Sequence, residues 1–437
     1  MLASVDEIRE LLELEVLERF EEGFNVDVKL LKEQIRAARN VEELNEIYER
    51  LQGAELREDY PYREPNDGRE IIAERPATPT SFHVDLDERS LLDKLLGAWL
   101  GRCSGCMLGK PVEGWSRERI TKALERIGEN PLKGPYIPFA AFSDLAPEHR
   151  KWVYPLTREG IRRAERDDDL DYTLLNLALY ELKGPGFTTS DVASAWLTML
   201  PYNLTYTAER AAYRNLVLGL KPPETAVYLN PYREWIGAQI RSDLWGYVSP
   251  GNPERASMLA YKDARLSHVK NGIYGEMFFA AALALAYKLD EPVSLINEAL
   301  KVIPKNCRLA EAISYVVSLY REGIDWGEAI KDILARYGAY HSVHTINNAA
   351  IVAAALIWSE GNFAKAIGYA VTAGLDTDCN GATTGSIMGL MLGASNLPHD
   401  WVKPLNDRLA TALSGLGELS IRELAERTLK CLLLYPE

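Results

Sequence analysis

The sequence contains few cysteines and few histidines, and it has no long apolar run. Five cysteines among 437 residues are odd in number and too sparse for a disulfide framework. The longest apolar stretches, near 277–287 and 349–358, fall far short of the ~20 residues that a membrane-spanning helix needs. The first residues also lack the basic and apolar regions of a secretory signal. We therefore expect a cytoplasmic protein without a membrane partner.

An excess of positive charge is also absent. Acidic residues number 63 and Lys plus Arg 49, which gives a net charge of −14. Because proteins that bind nucleic acids need basic side chains to neutralise phosphates, we expect no nucleic-acid partner. The apolar share of 47% is ordinary for a globular protein and excludes wholesale disorder.

Helical periodicity dominates what the sequence does contain. From residue 91 to the C-terminus, apolar side chains recur at spacings of three and four, and alternating runs typical of strands are almost absent. Two short segments, 152–156 and 226–229, are weak strand candidates. The spacing predicts helices over 91–100, 171–182, 192–200, 274–288, 309–321, 326–337, 347–359, 363–374 and 385–395. The predicted fold class is therefore all-α.

The sequence predicts three parts. Residues 1–58 form an acidic helical segment, in which acidic side chains outnumber basic ones two to one. Several prolines make 59–85 an extended connector, because proline resists both helix and central strand. Residues 86–437 form the main domain. Whether the N-terminal segment is a lid, a dimer arm or a partner site stays open at this point, as does the oligomeric state.

Capping signals define the helices of the N-terminal segment. Ser4 and Glu7 have the spacing of a capping box before an apolar stripe of helical period. A second helix is expected from Asp27, and a third is expected to begin at Asn40 and to end at Gly53.

Two acidic clusters each precede a predicted helix. Asp167, Asp168 and Asp169 are consecutive, and three like charges exceed what one N-cap requires. A hard divalent cation would neutralise them, which predicts Mg²⁺ with Mn²⁺ as the alternative. Asp376 and Asp378 can converge on one ion from an irregular turn.

The helix after the second cluster carries a stripe of glycines at Gly381, Gly385, Gly389 and Gly393. Glycines spaced by four lie on one helix face and weaken the helix, so they indicate a place where another backbone approaches closely. We therefore expect a tightly packed helix that fixes two aspartates at its N-terminal end.

The acidic run also allows two other interpretations. An EF-hand loop starting at Asp167 would need Gly where Tyr172 stands and Glu where Ala178 stands, so that interpretation fails. The spacing Asp167-Asp168-x-x-Asp171 also fits the DDxxD motif of class I terpene synthases, but no Glu completes their second motif near 376–385.

Together these motifs resemble the ADP-ribosylglycohydrolase family over roughly residues 90–403. The stretch 97–114, GAWLGRCSGCMLGKPVEG, is similar to the family's glycine-rich helix and loop. The aspartates at 167–169 resemble its Thr-Asp-Asp-Thr metal motif, and 376–389 resembles its Asp-x-Asp-Thr-x-x-Ala-x-x-Gly signature. Leu397-Pro398 and Trp401 resemble the segment that closes that signature.

The resemblance implies an all-α orthogonal multi-helix bundle with an additional N-terminal helical segment. It implies two Mg²⁺ ions and hydrolysis of the glycosidic bond of an ADP-ribosyl or related nucleoside substrate, either a small molecule or attached to a protein. The family's ligands carry over onto Asp168, Asp169, Asp376 and Asp378, with Asp167 where Thr is usual. Asp168 and Glu113 are the implied catalytic residues. A second register pairs Asp171 and Thr173 with the motif instead. The group linked to the ribose stays open.

Two departures from the family pattern involve thiols. Cys106 stands where many members have Asp, and Cys379 replaces a Thr that often helps to hold the second metal. Because thiols are poor partners for hard Mg²⁺, we expect that contact to be lost or replaced by water or backbone.

Candidate substrate contacts lie between the two clusters. His268 precedes an apolar helix, while Gly237, Gly246 and Tyr247 belong to a glycine-punctuated stretch whose backbone N–H groups could meet a diphosphate. A family member that only binds ADP-ribose, or has a structural role, is the alternative to an enzyme. Retention of the aspartates and of Glu113 favours the enzyme, because a structural protein has no need of so many like charges.

Overall fold

The computed structural model describes residues 4–436, and helices account for most of them. The N-terminal part contains α1 (Val5–Glu21), α2 (Val28–Ala37), α3 (Val41–Gln52) and α4 (Gly68–Ala73). The next helices are α5 (Glu88–Gly109), α6 (Arg117–Glu125), α7 (Pro147–Val153), α8 (Asp168–Lys183), α9 (Thr189–Met199), α10 (Thr207–Val217), α11 (Asp243–Tyr247) and α12 (Pro253–Ala264). The remaining ones are α13 (Lys270–Leu285), α14 (Pro292–Ala299), α15 (Arg308–Arg321), α16 (Trp326–Tyr337), α17 (Thr345–Trp358), α18 (Phe363–Thr372), α19 (Thr377–Leu392), α20 (His399–Val402) and α21 (Ile421–Leu434).

The all-α prediction is confirmed, with one small exception. The strands β1 (Arg408–Ala410) and β2 (Glu418–Ser420) form a two-stranded antiparallel ladder near the C-terminus. The two predicted strand candidates are wrong. Residues 152–156 end α7 and continue as a 3₁₀ turn, and 226–229 follow another 3₁₀ turn. Neither candidate has a partner strand among the described residues.

The capping signals of the N-terminal segment are confirmed. Ser4 and Glu7 form a reciprocal capping box at α1, and the side chains of Asp27 and Asn40 cap α2 and α3. The three helices share a small apolar core, built around Leu12, Val16, Ile35, Leu44 and Leu51, that reaches Leu229 of the main domain. The extended connector is interrupted by α4, because Asp67 caps a proline-free stretch long enough for one short helix.

Two helices form the centre of the main core. In α13 every side chain from Asn271 to Leu285 is buried, and in α17 every one from Thr345 to Trp358 is buried. A helix that is buried on all sides must be surrounded by protein, which places both helices inside the bundle. Within residues 4–436, none of the helices combines the length and the apolarity that crossing a bilayer demands.

The glycine stripe lets α19 pack directly against the backbone of α5. The two helices run antiparallel, and Gly101 and Gly105 of α5 face Gly385 and Gly381 of α19. A Cβ atom built on Gly101 would lie 2.0 Å from the carbonyl oxygen of Gly385, and one on Gly385 would lie 2.1 Å from that of Gly101. The predicted close approach is therefore observed, and α5 is the partner. The packing places the C-terminal end of α5 beside the N-terminal end of α19.

Candidate active site

Three helix ends meet where the C-terminal end of α5 lies beside the N-terminal end of α19. The C-terminal end of α5 leads into Lys110 and Glu113, and Asp376 is the N-cap residue of α19. The N-terminal end of α8 joins them, because the Lys110 ammonium forms an ion pair with the Asp167 carboxylate. The side chain of Cys379 in α19 also donates to Asp169 in α8. The sequence clusters around 167 and 376 are thus neighbours in space.

Glu113 lies against the two aspartates of α19. One carboxylate oxygen each from Glu113, Asp376 and Asp378 lies within 4.8 Å of the other two. The loop that carries Glu113 is fixed by backbone hydrogen bonds, in which Gly114 N donates to Leu375 O at 3.0 Å and Leu375 N donates to Trp115 O at 3.3 Å. This first group therefore consists entirely of carboxylate oxygens, with Glu113 on its solvent side and the two aspartates buried.

A second group shares Asp378 with the first. Ligand atoms of Asp169, Asp378 and Cys379 also lie within 4.8 Å of one another, and all three side chains are buried. The Cys379 thiol donates a hydrogen bond to Asp169 Oδ2 at 3.1 Å. Asp378 Oδ1 is buried without a hydrogen-bond partner among the described residues. An unpartnered buried carboxylate oxygen is costly, and a cation between the two groups would satisfy it.

Asp167 and Asp168 take other positions at the start of α8. Asp167 is the N-cap residue, accepts a hydrogen bond from Asp169 N at 3.0 Å and pairs with Lys110. Neither Asp167 nor Asp168 belongs to the two groups of converging ligand atoms. Their predicted roles as metal ligands, and the catalytic role of Asp168, stay predictions.

The charges of the cluster shift its acid–base behaviour. Burial by the surrounding protein, together with the charges of Asp376 and Asp167, raises the pKa of Glu113 to about 7. Burial and the Glu113 carboxylate hold the pKa of Asp378 well above its ordinary value. Burial also acts on Asp167, but the Lys110 ammonium prevails and lowers its pKa. Among the described residues no basic side chain pairs with Asp376 or Asp378, so these two carboxylates lack a neutralising partner.

Arg102 is a buried residue that holds Asp169 of the site in position. Sequence reasoning did not identify it. The guanidinium is fully buried, donates to Asp169 O at 2.6 Å and to Asp243 Oδ2 at 2.7 Å, and lies 3.3 Å from Asp169 Oδ1. Lys110 was missed too, although both residues stand inside the glycine-rich stretch 97–114. A cation in an otherwise apolar and glycine-rich helix was the signal that could have revealed Arg102.

Asn348 of α17 is a further residue that sequence reasoning did not identify as supporting Asp376. Its side-chain oxygen accepts hydrogen bonds from Asp376 N at 3.2 Å and from Asn380 at 2.8 Å. The first turn of the buried helix α17 thereby fixes the turn on which Asp376 lies.

The alternative register of the first motif would use Asp171 and Thr173, and in this fold both residues make structural hydrogen bonds. Asp171 accepts hydrogen bonds from Arg166 at 2.7 Å and from Ala412 N at 3.1 Å, which ties α8 to the segment after β1. The hydroxyl of Thr173 donates to Asp169 O within the same helix at 3.3 Å. Neither residue joins the converging ligand atoms.

The four predicted substrate contacts are enclosed in the core. Tyr247 bonds to Asp243 at 3.2 Å and to Ser386 at 2.6 Å, and His268 Nδ1 bonds to Ser267 at 2.8 Å. Gly237 and Gly246 lie directly against neighbouring side chains. A Cβ atom built on Gly237 would lie 2.2 Å from Glu209, and one built on Gly246 would lie 2.3 Å from Leu283. All four residues pack within the core, and their roles as substrate contacts stay predictions.

The fold and the site together define an all-helical protein with a buried carboxylate centre built from three helix ends. The sequence matches the ADP-ribosylglycohydrolase family over residues 87–432, and the chain therefore belongs to that family. A solved structure of an ADP-ribosylglycohydrolase-related protein complex is 18% identical and has a TM-score of 0.46; the match covers 79% of this chain and 99% of that one. No curated protein matches the sequence significantly. Family membership supports an activity of the glycosyl-hydrolase type.

Proposed function

We propose that the protein is a Mg²⁺-dependent hydrolase that cleaves the glycosidic bond of an ADP-ribosyl or related ribosyl substrate. The observation that carries the proposal is the convergence of Glu113, Asp376 and Asp378 within the family's signature segments. An all-oxygen donor set suits Mg²⁺, and the unpartnered Asp378 Oδ1 fits a bound cation. A second divalent ion would share Asp378 with the adjacent group.

The residues of the chain have distinct roles in this proposal. Asp376 and Asp378, fixed by Asn348 and by the packing of α19, would hold the ion. When bound, the ion supplies Lewis acidity that lowers the pKa of water and orients ribose hydroxyls. Glu113 lies on the solvent side of the group and exchanges a proton with the attacking water or the leaving group. Glu113 is thus placed at the opening of the site, and the aspartates at its floor.

The proposal extends to the class of substrate and to the cellular location of the protein. We infer an ADP-ribosyl group on a small molecule or on a protein, because family membership supports that class. A cytoplasmic location agrees with five buried, unpaired cysteines, which persist in reducing compartments.

Hydrolysis of ADP-ribosylated peptides and of small ADP-ribosyl conjugates, followed by release of ADP-ribose with and without Mg²⁺, tests the function. We expect Asp378→Asn to abolish both turnover and Mg²⁺ binding. We expect Glu113→Gln, which keeps one oxygen ligand but cannot exchange the proton, to lower kcat by ~10²–10⁴-fold while the ion stays bound. Asp400→Asn, on an exposed residue of α20, is the matched control and should act like the parent protein. Full activity of Asp378→Asn would refute the proposal.

A further inference from the structure

The two groups of ligand atoms differ in the chemistry of their donors. Glu113, Asp376 and Asp378 offer only carboxylate oxygens, whereas the second group joins Asp169 and Asp378 to the sulfur of Cys379. Hard Mg²⁺ and Mn²⁺ prefer oxygen, and thiolate selects softer ions such as Zn²⁺ and Fe²⁺. The two positions of this centre therefore do not suit the same ion.

Cys379 is placed for ligation by more than its sequence position. Its sulfur lies in the first turn of α19, 3.1 Å from Asp169 Oδ2, and the side chain is 7% exposed. Asp378 is 4% exposed, and its Oδ1 has no hydrogen-bond partner among the described residues. The group thus contains a buried thiol, a buried unpartnered carboxylate oxygen and a second buried carboxylate, all within the reach of one small cation.

Arg102 balances part of the negative charge of this group. Asp169 Oδ1 lies 3.3 Å from the Arg102 guanidinium, so one of its oxygens is already near a cation, and Oδ2 faces the sulfur. Arg102 partly balances the charge of Asp169. The two remaining negative charges, on the Cys379 thiolate and on Asp378, would then neutralise one divalent ion. Zn²⁺ binds in proteins through such mixed sulfur and carboxylate sets.

We propose that Asp169, Asp378 and Cys379 bind a thiophilic divalent ion of the Zn²⁺ type beside the all-oxygen position, so that the centre holds two different metals. Binding is Cys–SH + M²⁺ → Cys–S⁻–M²⁺ + H⁺: the sulfur–metal bond forms, the S–H bond breaks, and the proton leaves to the buffer without any change of oxidation state. This inference rests on the proposed function only in sharing Asp378 with its metal site.

Co²⁺ is the probe, because a thiolate bound to Co²⁺ gives a near-ultraviolet charge-transfer absorption that oxygen ligands do not give. The metal-free full chain, in saturating Mg²⁺, is titrated with Co²⁺ and then with Zn²⁺. We expect the band to saturate at one equivalent of Co²⁺ in the parent protein and to vanish when Zn²⁺ displaces Co²⁺. Metal analysis after dialysis should then find one Zn²⁺ per chain.

The variants separate this site from its neighbours. We expect Cys379→Thr to lose the band and the retained Zn²⁺, whereas Glu113→Gln, in the other group, keeps both. Cys431→Ser is the matched control, because Cys431 is a buried thiol in α21, away from the group. Circular dichroism and the thermal midpoint check that each variant is folded.

The outcomes distinguish the two proposals. A band that forms in the parent and is lost only in Cys379→Thr supports thiolate ligation even if no ADP-ribosyl substrate is cleaved. Bound Co²⁺ without the band, a band that persists in Cys379→Thr, or a band lost in Cys431→Ser instead would overturn it, whatever the hydrolysis assay shows.

Discussion

Arg102 is the residue that connects the candidate site to the core. It is fully buried and forms ion pairs with Asp169 and Asp243, two carboxylates from different helices. A buried ion pair is weak evidence for net stability, but removal of one partner leaves an uncompensated charge.

Replacing Arg102 by Leu should therefore be strongly destabilising. We expect a loss of ~3–5 kcal/mol in the free energy of unfolding, because Asp169 and Asp243 would stay buried without their cation. Chemical denaturation measures it. Arg163→Leu is the control: Arg163 pairs at the surface with Glu165 at 2.9 Å and with Glu418 at 3.0 Å, and its loss should cost less than ~1 kcal/mol for each exposed pair. Equal effects of the two substitutions would contradict the structural role of Arg102.

His268 should make stability depend on pH. Burial and the nearby Arg241 guanidinium hold its pKa well below the ordinary value, and Glu209, 4.0 Å from Nε2, does not reverse this. The unfolded chain thus takes up the proton first as the pH falls below ~6.5. The stability from neutral His268 is complete above that pH and decreases below it.

The comparison with His268→Gln isolates this effect. As the pH falls from 6.5, the stability advantage of the parent over the variant should shrink by up to ~1.4 kcal/mol per pH unit, as measured by denaturant unfolding. A constant difference between pH 7.5 and 5.5 would show that His268 does not titrate differently in the folded state.

At the scale of elements, the packing of α5 against α19 determines the geometry of the site. Gly101→Ala would place a Cβ 2.0 Å from the carbonyl oxygen of Gly385, so the helices must separate. We expect a loss of ~1–3 kcal/mol or more, together with weaker metal binding, because Glu113 and Asp378 lie at the ends of these helices. Thermal unfolding and Mg²⁺ titration measure the two effects.

Gly368 of α18 is the matched control for this substitution. A Cβ there meets no atom within 4 Å, so Gly368→Ala should be neutral or stabilise the helix by up to ~1 kcal/mol. If both alanine variants behaved alike, close backbone contact would not explain the glycine stripe.

The elements that can be predicted from the sequence are those determined by residues close together in the chain. Caps at Ser4, Asp27 and Asn40 were predictable because the capping side chain and its helix are neighbours in the chain. The strands β1 and β2 were not, since three residues each give no alternation and their pairing is a tertiary event. The glycine stripe of α19 predicted close packing, but only the structure identifies α5 as its partner.

At the scale of the whole molecule, the N-terminal helices are held to the main domain by a buried charge network. Arg233 of the main domain donates to Glu15 of α1 at 2.6 Å and to Glu22, the C-cap residue of α1, at 2.8 Å. Such long-range pairs carry no local signal, so the function of the acidic excess in residues 1–58 could not be deduced from sequence. Part of that excess is buried rather than solvated.

Arg233→Leu should loosen this attachment. We expect a destabilisation of up to ~3–5 kcal/mol, because Glu15 and Glu22 would lose their buried partner and keep only Arg19, 3.3 Å from Glu15, and Lys270, 3.4 Å from Glu22. Hydrogen exchange should become faster in α1–α3 before it does in α13. Arg36→Leu, which removes an exposed pair with Glu13, is the control and should cost less than ~1 kcal/mol. Unchanged protection of α1 in Arg233→Leu would contradict this role.

The central claim is that helix ends separated by more than two hundred residues in sequence together build one metal centre. Anomalous X-ray scattering from crystals soaked in Mn²⁺, which replaces Mg²⁺ at oxygen ligands, tests it most directly. We expect an anomalous peak between the carboxylates of Glu113, Asp376 and Asp378, and no such peak in Asp378→Asn. An empty position there in the parent protein, with Mn²⁺ bound only elsewhere, would contradict the claim.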